Sequence, residues 1–516
     1  MSEPAKEKSA GTIDWLFIVF LFLFTNQAIL SLKVAGILLV FLLRPNFKFK
    51  FGSGRIPRFY LYIILLSVFN LLLFIRDFST SYLVAFAVAN MFWFFGFLAF
   101  HQLKLSLEEY GPASVYRTMQ VFTIINFICS IFQLGQIIFK TGHINPYTGL
   151  DFPYGMSTGD NIYGAFLQNS YYNMMVSAML VFYFIFKRHL GYAIISLLSL
   201  ILVFGNFGTI IFLSVLSAAF IVGLISKWNR GKIRWLSNVS PPGKFQIYIP
   251  IMVFFLSVLY TALSPENMNY LVEKVTQKVF TSSSNDVNNY RAMLENQKMD
   301  PAAFDPYKEY QQKSNVTPSF YAGANVQALN VKDRLAYKMQ ITNEHIEKLQ
   351  GKALSIQETR DYLKSSIPAF LFGAGPVRFS SLLAQKMAGF DSSRLFMNIL
   401  PHYVSPLYAE NHKLIIESRI KSDSKNFSNA NWPDCFFNQI FGEYGILGFL
   451  LFAIFYAGHF VRDIKYWSYG LWVFILLIPY SYISYIFEAL SVVVFFELLM
   501  ETDIAEGKQK LLRTNG

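Results

Sequence analysis

Three short stretches of this chain hold polar residues whose types and spacing could do chemistry. The first is Asn431-Trp432-Pro433-Asp434-Cys435-Phe436-Phe437-Asn438, leading into Gly442-Glu443-Tyr444-Gly445-Ile446-Leu447-Gly448. Pro433 suits the start of a helix, and a carboxylate at Asp434, in its first turn, is favoured by the helix dipole. Asn438 is one turn on and faces the same way. Glu443 lies about two and a half turns in, and the three glycines let another helix approach closely. Asp434 is either presented at the helix mouth for chemistry or simply a cap, and Glu443 is either functional or a paired structural acid. The second stretch is Leu371-Phe372-Gly373-Ala374-Gly375-Pro376-Val377-Arg378-Phe379-Ser380-Ser381. Its tight turn, centred on Gly373 and Gly375, exposes backbone N–H groups beside Arg378. That combination can hold a phosphate, or can be an ordinary loop turn. The third runs from Gly164 to Asn173. Asn169 and Asn173 are one turn apart on one face, able to bind sugar hydroxyls or to bond neighbouring helices.

The elements that carry these stretches are read from hydropathy. The chain has 516 residues, of which 54% are hydrophobic and only 15% charged, against roughly 25% charged in a soluble domain. The deficit sits in long apolar runs rich in aromatic rings that suit lipid and the membrane–water interface. A span needs roughly 20 mostly apolar residues. Runs meeting or approaching this lie at 13–30, 31–44, 58–75, 81–100, 118–139, 164–186, 190–206, 208–226, 247–263, 434–459, 467–480 and 481–500. The pattern predicts an all-α polytopic integral membrane protein of about twelve spans. The first run has no small-residue cleavage site after it and reads as an uncleaved span.

Charge orients the spans. Arg44, Lys48, Lys50, Arg55 and Arg58 fall in one set of connections, with Lys187, Arg188, Lys227, Arg230, Lys232, Arg234, Lys244, Arg462 and Lys465. The opposite set is nearly free of positive charge near the helix ends. Both termini are therefore expected in the cytoplasm. The expected layout is a membrane domain over 1–263, a large, partly helical outer loop over 264–433, a second membrane segment over 434–500 and a cytoplasmic tail over 501–516. The large loop contains an amphipathic stretch at 332–349 and apolar patches at 367–372 and 395–400. Loops this long are usually functional.

Several classes are excluded. The net charge of +12 comes from the orienting loops, so nucleic acid is not an expected partner. Cys129 and Cys435 both fall in apolar stretches, which rules out a disulfide framework, and no Cys/His cluster or H-E-x-x-H marks a zinc site. No Walker loop or G-x-S-x-G elbow occurs, and no outer Asp-x-Asp pair points to a metal-held phosphate. No metal or other cofactor is expected. Intramembrane charge is sparse, with Glu443 and Glu488 as the candidates, which argues against a pump or flippase.

Taken together, the three stretches resemble the bacterial O-antigen polymerase and O-antigen ligase family, of the class C glycosyltransferase type. That family opens a mid-chain span with Gly-x-Phe-x-Asn-Pro-Asn, which Gly164 to Tyr171 echoes with Ser170 in place of Pro. Its large outer loop carries Phe-Gly-x-Gly-Pro, matched by Phe372 to Pro376. The loop ends in His-Asn, nine residues, then Gly-x-x-Gly; Asp434 and Cys435 occupy the His-Asn positions, with Gly445 and Gly448 at that spacing. Asp434 in place of His favours a polymerase over a ligase. The family's Ser-Arg pair after the mid-chain spans is absent, and Gly205 to Thr209 stands there.

The resemblance implies a class C fold and a substrate of undecaprenyl-pyrophosphate carrying an oligosaccharide, at the outer face of the bacterial inner membrane. It implies transfer of the growing glycan to the hydroxyl of a lipid-linked repeat, with a chain-length regulator and a flippase as partners. In that chemistry Asp434 is the base. The pyrophosphate ligands are Arg378, Arg360 and Arg334, whose planar forks suit phosphate oxygens. Asn169, Asn173, Asn438, Gly373 and Gly375 are the substrate-binding candidates.

Overall fold

The computed structural model describes residues 12–26, 30–52, 55–73, 79–142, 162–166, 170–203, 206–229, 232–263, 351–388, 402–413, 415–416 and 433–515. Arg334 and Asn169, the amphipathic stretch at 332–349 and the patch at 395–400 lie outside these residues. By contact, Met1–Leu256 with Thr342–Gly516 forms one compact unit and Ser257–Ile341 a second.

The described residues are overwhelmingly helical and hold no β-strand. The helices are α1 (Trp15–Thr25), α2 (Leu30–Leu43), α3 (Phe59–Leu73), α4 (Thr80–Thr141), α5 (Ser170–Phe186), α6 (Leu190–Val203), α7 (Asn206–Trp228), α8 (Arg234–Val239) and α9 (Phe245–Leu263). After the undescribed stretch come α10 (Gly351–Lys364), α11 (Ile367–Phe372), α12 (Leu382–Met387) and α13 (Phe436–Leu451). The last are α14 (Gly470–Ile483), α15 (Ile486–Ala489) and α16 (Ser491–Asn515). Thr80–Lys140, Gly208–Trp228 and Phe436–Tyr466 are long and apolar enough to cross a membrane, and seven shorter apolar helices accompany them. The chain is thus an all-α protein of membrane-embedded character.

The helices are built for lipid on one side and protein on the other. In α3 the apolar residues Leu61, Leu65, Val68 and Leu72 are exposed, at spacings of one helical turn, while Phe59, Ile63, Ser67 and Asn70 are buried. An apolar stripe facing out and polar residues facing in is the reverse of a soluble helix, and it fits a helix with lipid against its outer face.

The runs at 81–100 and 118–139 belong to one long element, α4, bent at Gly111 (φ 72°, ψ 174°) and restarted by Pro112. Proline at a first helical position starts a new helix with its ring pre-set. The bend joins other segments expected to share one membrane side. Asp14 accepts from Arg44 at 2.7 Å and from Ser106 at 2.7 Å, and its own amide donates to Ser114 Oγ at 3.3 Å. Lys187 pairs with Glu506, and Lys508 with Asp463 at 3.1 Å. Trp472 Nε1 donates to Val239 O at 2.8 Å. Each contact links connections that the charge pattern assigns to the same side.

Two expectations need correction. The runs at 467–480 and 481–500 do not meet in a single turn. α14 ends at Ile483, and the short α15 with Leu490 at φ 56° separates it from α16. α16 then continues to Asn515, and Glu501, Thr502 and Asp503 within it are buried. Buried charge is also not confined to Glu443 and Glu488, because Lys33, Glu497, Glu501 and Asp503 are buried as well. Each of these four has a local hydrogen-bond partner, although Oε2 of Glu497 is left without one among the described residues. Lys33 donates to Phe24 O at 2.5 Å, and Glu497 accepts from Tyr60 at 2.5 Å. Glu501 accepts from Lys104 at 2.7 Å and faces His459 at 3.1 Å, while Asp503 caps the amides of Ser468 and Gly470. These acids share one helix with the apolar run Val492 to Leu499, which hides them from a hydropathy reading.

Candidate functional site

The site grows from the mouth of α13. The helix begins at Phe436, its N-cap position belongs to Cys435, and no side chain bonds the cap. Asp434 therefore precedes the helix and does not cap it. Its carboxylate reaches across to α12, where Oδ1 accepts from Gln385 Nε2 at 2.5 Å. Asp434 is half-buried and lies outside the candidate span that begins at Phe436.

α10 closes over this mouth. Asn438 Nδ2 donates to Ser355 Oγ at 2.7 Å, and its Oδ1 accepts from Thr359 Oγ1 at 3.1 Å. Asn438 is thus spent on clamping α10 to α13 and is not presented to a substrate. The same face of α10 brings in Lys352, which the sequence reading did not select. Its buried Nζ donates to Asp434 O and, at 2.8 Å, to Ile483 O at the end of α14. A lysine one residue into an amphipathic helix gives no sequence signal of such a role. Burial pushes the Asp434 carboxyl up to about 6, against the opposing pull of the Lys352 ammonium and the Gln385 hydrogen bond. Burial likewise lowers the Lys352 ammonium to about 8, with Asp434 acting to raise it. Between those values a carboxylate and an ammonium stand together.

The break between α14 and α16 supplies the opposite wall. Tyr485 exchanges a hydrogen bond with Ser380 at 2.8 Å and accepts a long one, 3.5 Å, from Gln385. Glu488 Oε2 accepts from the Leu382 and Leu383 amides at 2.5 and 3.2 Å, at the start of α12. Irregular backbone at membrane depth persists only where protein or a cavity satisfies it; here Lys352 bonds the Ile483 carbonyl, and Lys33 and Ser491 bond that of Ala489. Glu443 is also buried, and neither oxygen of its carboxylate has a hydrogen-bond partner among the described residues.

The Gly373–Gly375 turn packs against α13, as a structural turn does. Its amides are not open to an anion: Ala374 N donates to Gly442 O at 2.8 Å and Gly375 N to Glu443 O at 2.9 Å. Those carbonyls sit beside a kink at Gly445 (φ 65°, ψ −166°) inside α13. The turn and the kink fit into each other. A Cβ on Gly373 would lie 2.5 Å from the Glu443 carbonyl carbon, and one on Gly445 would lie 2.5 Å from that of Leu371. Asn70 of α3 completes the knot, donating to Phe372 O at 2.9 Å and to Glu443 O at 3.3 Å.

The three arginine candidates separate. Arg378 follows this turn and is buried, its guanidinium 5.6 Å from the Tyr82 ring centroid. Arg360 is 59% exposed and pairs with its neighbour Asp361 at 3.2 Å, away from the buried cluster. Arg334 is undescribed. Asn173, one of the two sugar-binding candidates, is fully buried. It accepts from Asn126 Nδ2 at 2.8 Å and donates to Ser130 and Ile162, so it bonds neighbouring segments.

The result is a continuous polar path, Asp434–Gln385–Tyr485–Ser380, that ends two residues from Arg378. His412, fully buried with its ring 4.8 Å from that of Phe379, flanks the same segment and was not foreseen. No family model, no curated protein and no solved structure matches the chain.

Proposed function

We propose that this protein is a membrane glycosyltransferase that polymerises a surface glycan. It takes the growing chain from undecaprenyl-pyrophosphate and passes it to the hydroxyl of a lipid-linked repeat at the outer face of the bacterial inner membrane. The proposal includes about twelve spans with both termini in the cytoplasm, and the shared-side contacts of the helix ends support that topology. The observation that carries the reading is Asp434. It is a half-buried carboxylate at a helix mouth that caps nothing and is aimed by a glutamine from another element.

In this reading Asp434 takes the acceptor proton on Oδ2, since Oδ1 is held by Gln385. The acceptor oxygen attacks the anomeric carbon of the donor sugar, the bond from that carbon to the phosphate oxygen breaks, and pyrophosphate leaves on its lipid. Charge develops on the leaving group, where a guanidinium is worth most in a water-poor site. Arg378, buried two residues beyond the polar path, is the arginine assigned this role. A carboxyl near pH 6 is ionised at neutral pH yet basic enough to accept a proton. Of the buried acids of α16, Glu501 and Asp503 are held in local ion-pair and hydrogen-bond contacts, which does not favour a transport reading.

The experiment is a glycan profile of a deletion strain. Loss of long chains with single repeats retained supports polymerisation. Long chains made but left unattached would assign the protein as a ligase instead.

A further inference from the structure

α11 carries an apolar face that the site does not use. Ile367 is 76% exposed and Phe370 47% exposed, while Ala369 between them is buried. The helix is fixed at the end of α3: the Phe372 ring lies 5.1 Å from that of Phe69, and Asn70 bonds the Phe372 carbonyl. At that end of α3 the outward residues Phe69, Leu72 and Leu73 are themselves exposed and apolar. The face of α11 therefore continues the outward stripe of α3. The three residues before it, Lys364, Ser365 and Ser366, are exposed and polar.

We propose that α11 is seated in the bilayer interface, with Ile367 and Phe370 among the acyl chains and Lys364 to Ser366 at the headgroups. The occupant of this face is phospholipid. Exposed apolar side chains against water are unfavourable in proportion to their area, and short amphipathic segments resolve this by burying one face at the headgroup boundary. The seat has a structural consequence. α11 ends at Gly373, whose turn fills the kink of α13, so the lipid surface helps to fix the height of that turn in the membrane. The segment expected to stand in a water-exposed loop thus dips back into lipid. The inference is independent of the glycan reading.

Spin labelling tests it on the whole protein in vesicles of phosphatidylethanolamine and phosphatidylglycerol. Ile367→Cys, Phe370→Cys and Lys364→Cys are made in a Cys129→Ala background, and collisions with oxygen and with a water-soluble nickel chelate are compared. Oxygen collisions exceeding nickel collisions severalfold at 367 and 370, with the reverse at 364, are expected. Nickel-dominated collisions at 367 and 370 would show water on this face and overturn the proposal. Low collision rates with both reagents, with an immobilised label, would show a protein or a second copy covering it and would overturn it equally.

Discussion

Gln385 donates a 2.5 Å hydrogen bond to the Asp434 carboxylate, and this bond joins two segments 49 residues apart in sequence. It distinguishes a presented carboxylate from a helix cap. A cap turns its oxygen toward the amides of its own helix; Asp434 turns away from α13 toward α12. Gln385 leaves one oxygen of the carboxylate for another partner.

Lys352 sets the charge balance of this carboxylate, and its removal has a signed consequence. The ammonium holds the Asp434 carboxyl down against burial. In Lys352→Met that opposing influence is gone, so the Asp434 pKa rises above about 6 and the acid limb of the activity profile moves to higher pH. Lys352→Arg keeps the cation and should restore most of the profile. An unchanged acid limb in Lys352→Met, at equal protein levels, would remove Lys352 from the site.

The wild-type pH profile carries the same sign. Asp434 must be ionised to accept a proton, so transfer should fall about tenfold per pH unit below the carboxyl pKa near 6. Initial rates of chain extension in membranes across the range around that value check this.

The arginines should part company. Arg378→Ala and Arg378→Lys should both lose most polymer, since lysine keeps the charge but not the planar fork. Arg360→Ala should be near wild type, because its side chain is exposed and engaged with Asp361. Glycan ladders at matched expression compare the three.

The turn-and-kink knot predicts a stability contrast among glycines. Gly373→Ala and Gly445→Ala combine a left-handed φ with backbone contacts near 2.5 Å. Each should cost roughly 3 kcal/mol or more. Gly111→Ala has the same kind of backbone but nothing within 4 Å of its Cβ, and should cost less, about 2 kcal/mol. Thermal unfolding in detergent ranks them.

Much of this arrangement was legible in the sequence. Hydropathy located the apolar helices because lipid-facing and core residues are both apolar. The stretch from Asp434 to Gly448 marked the mouth of α13 and a place of close approach, but not the kink at Gly445. The Gly373 turn was marked as well, but its role was left open: a glycine turn looks the same whether its amides face an anion or the carbonyls of a broken helix. Lys352, Gln385 and His412 were invisible, because their meaning lies in which distant segment they touch. The break at 484–490 was hidden within a run that is apolar on both sides of it.

Asp434→Asn tests the central claim most directly. Asparagine keeps the shape, and its side-chain oxygen can still accept the Gln385 hydrogen bond, but it cannot take a proton from a hydroxyl. Surface-glycan length is compared in a deletion strain expressing equal amounts of wild type, Asp434→Asn and Asp434→Glu. Asp434→Asn should insert normally yet yield only single repeats, with slight extension in Asp434→Glu. Near wild-type chains from Asp434→Asn would contradict the assignment of Asp434 as the base.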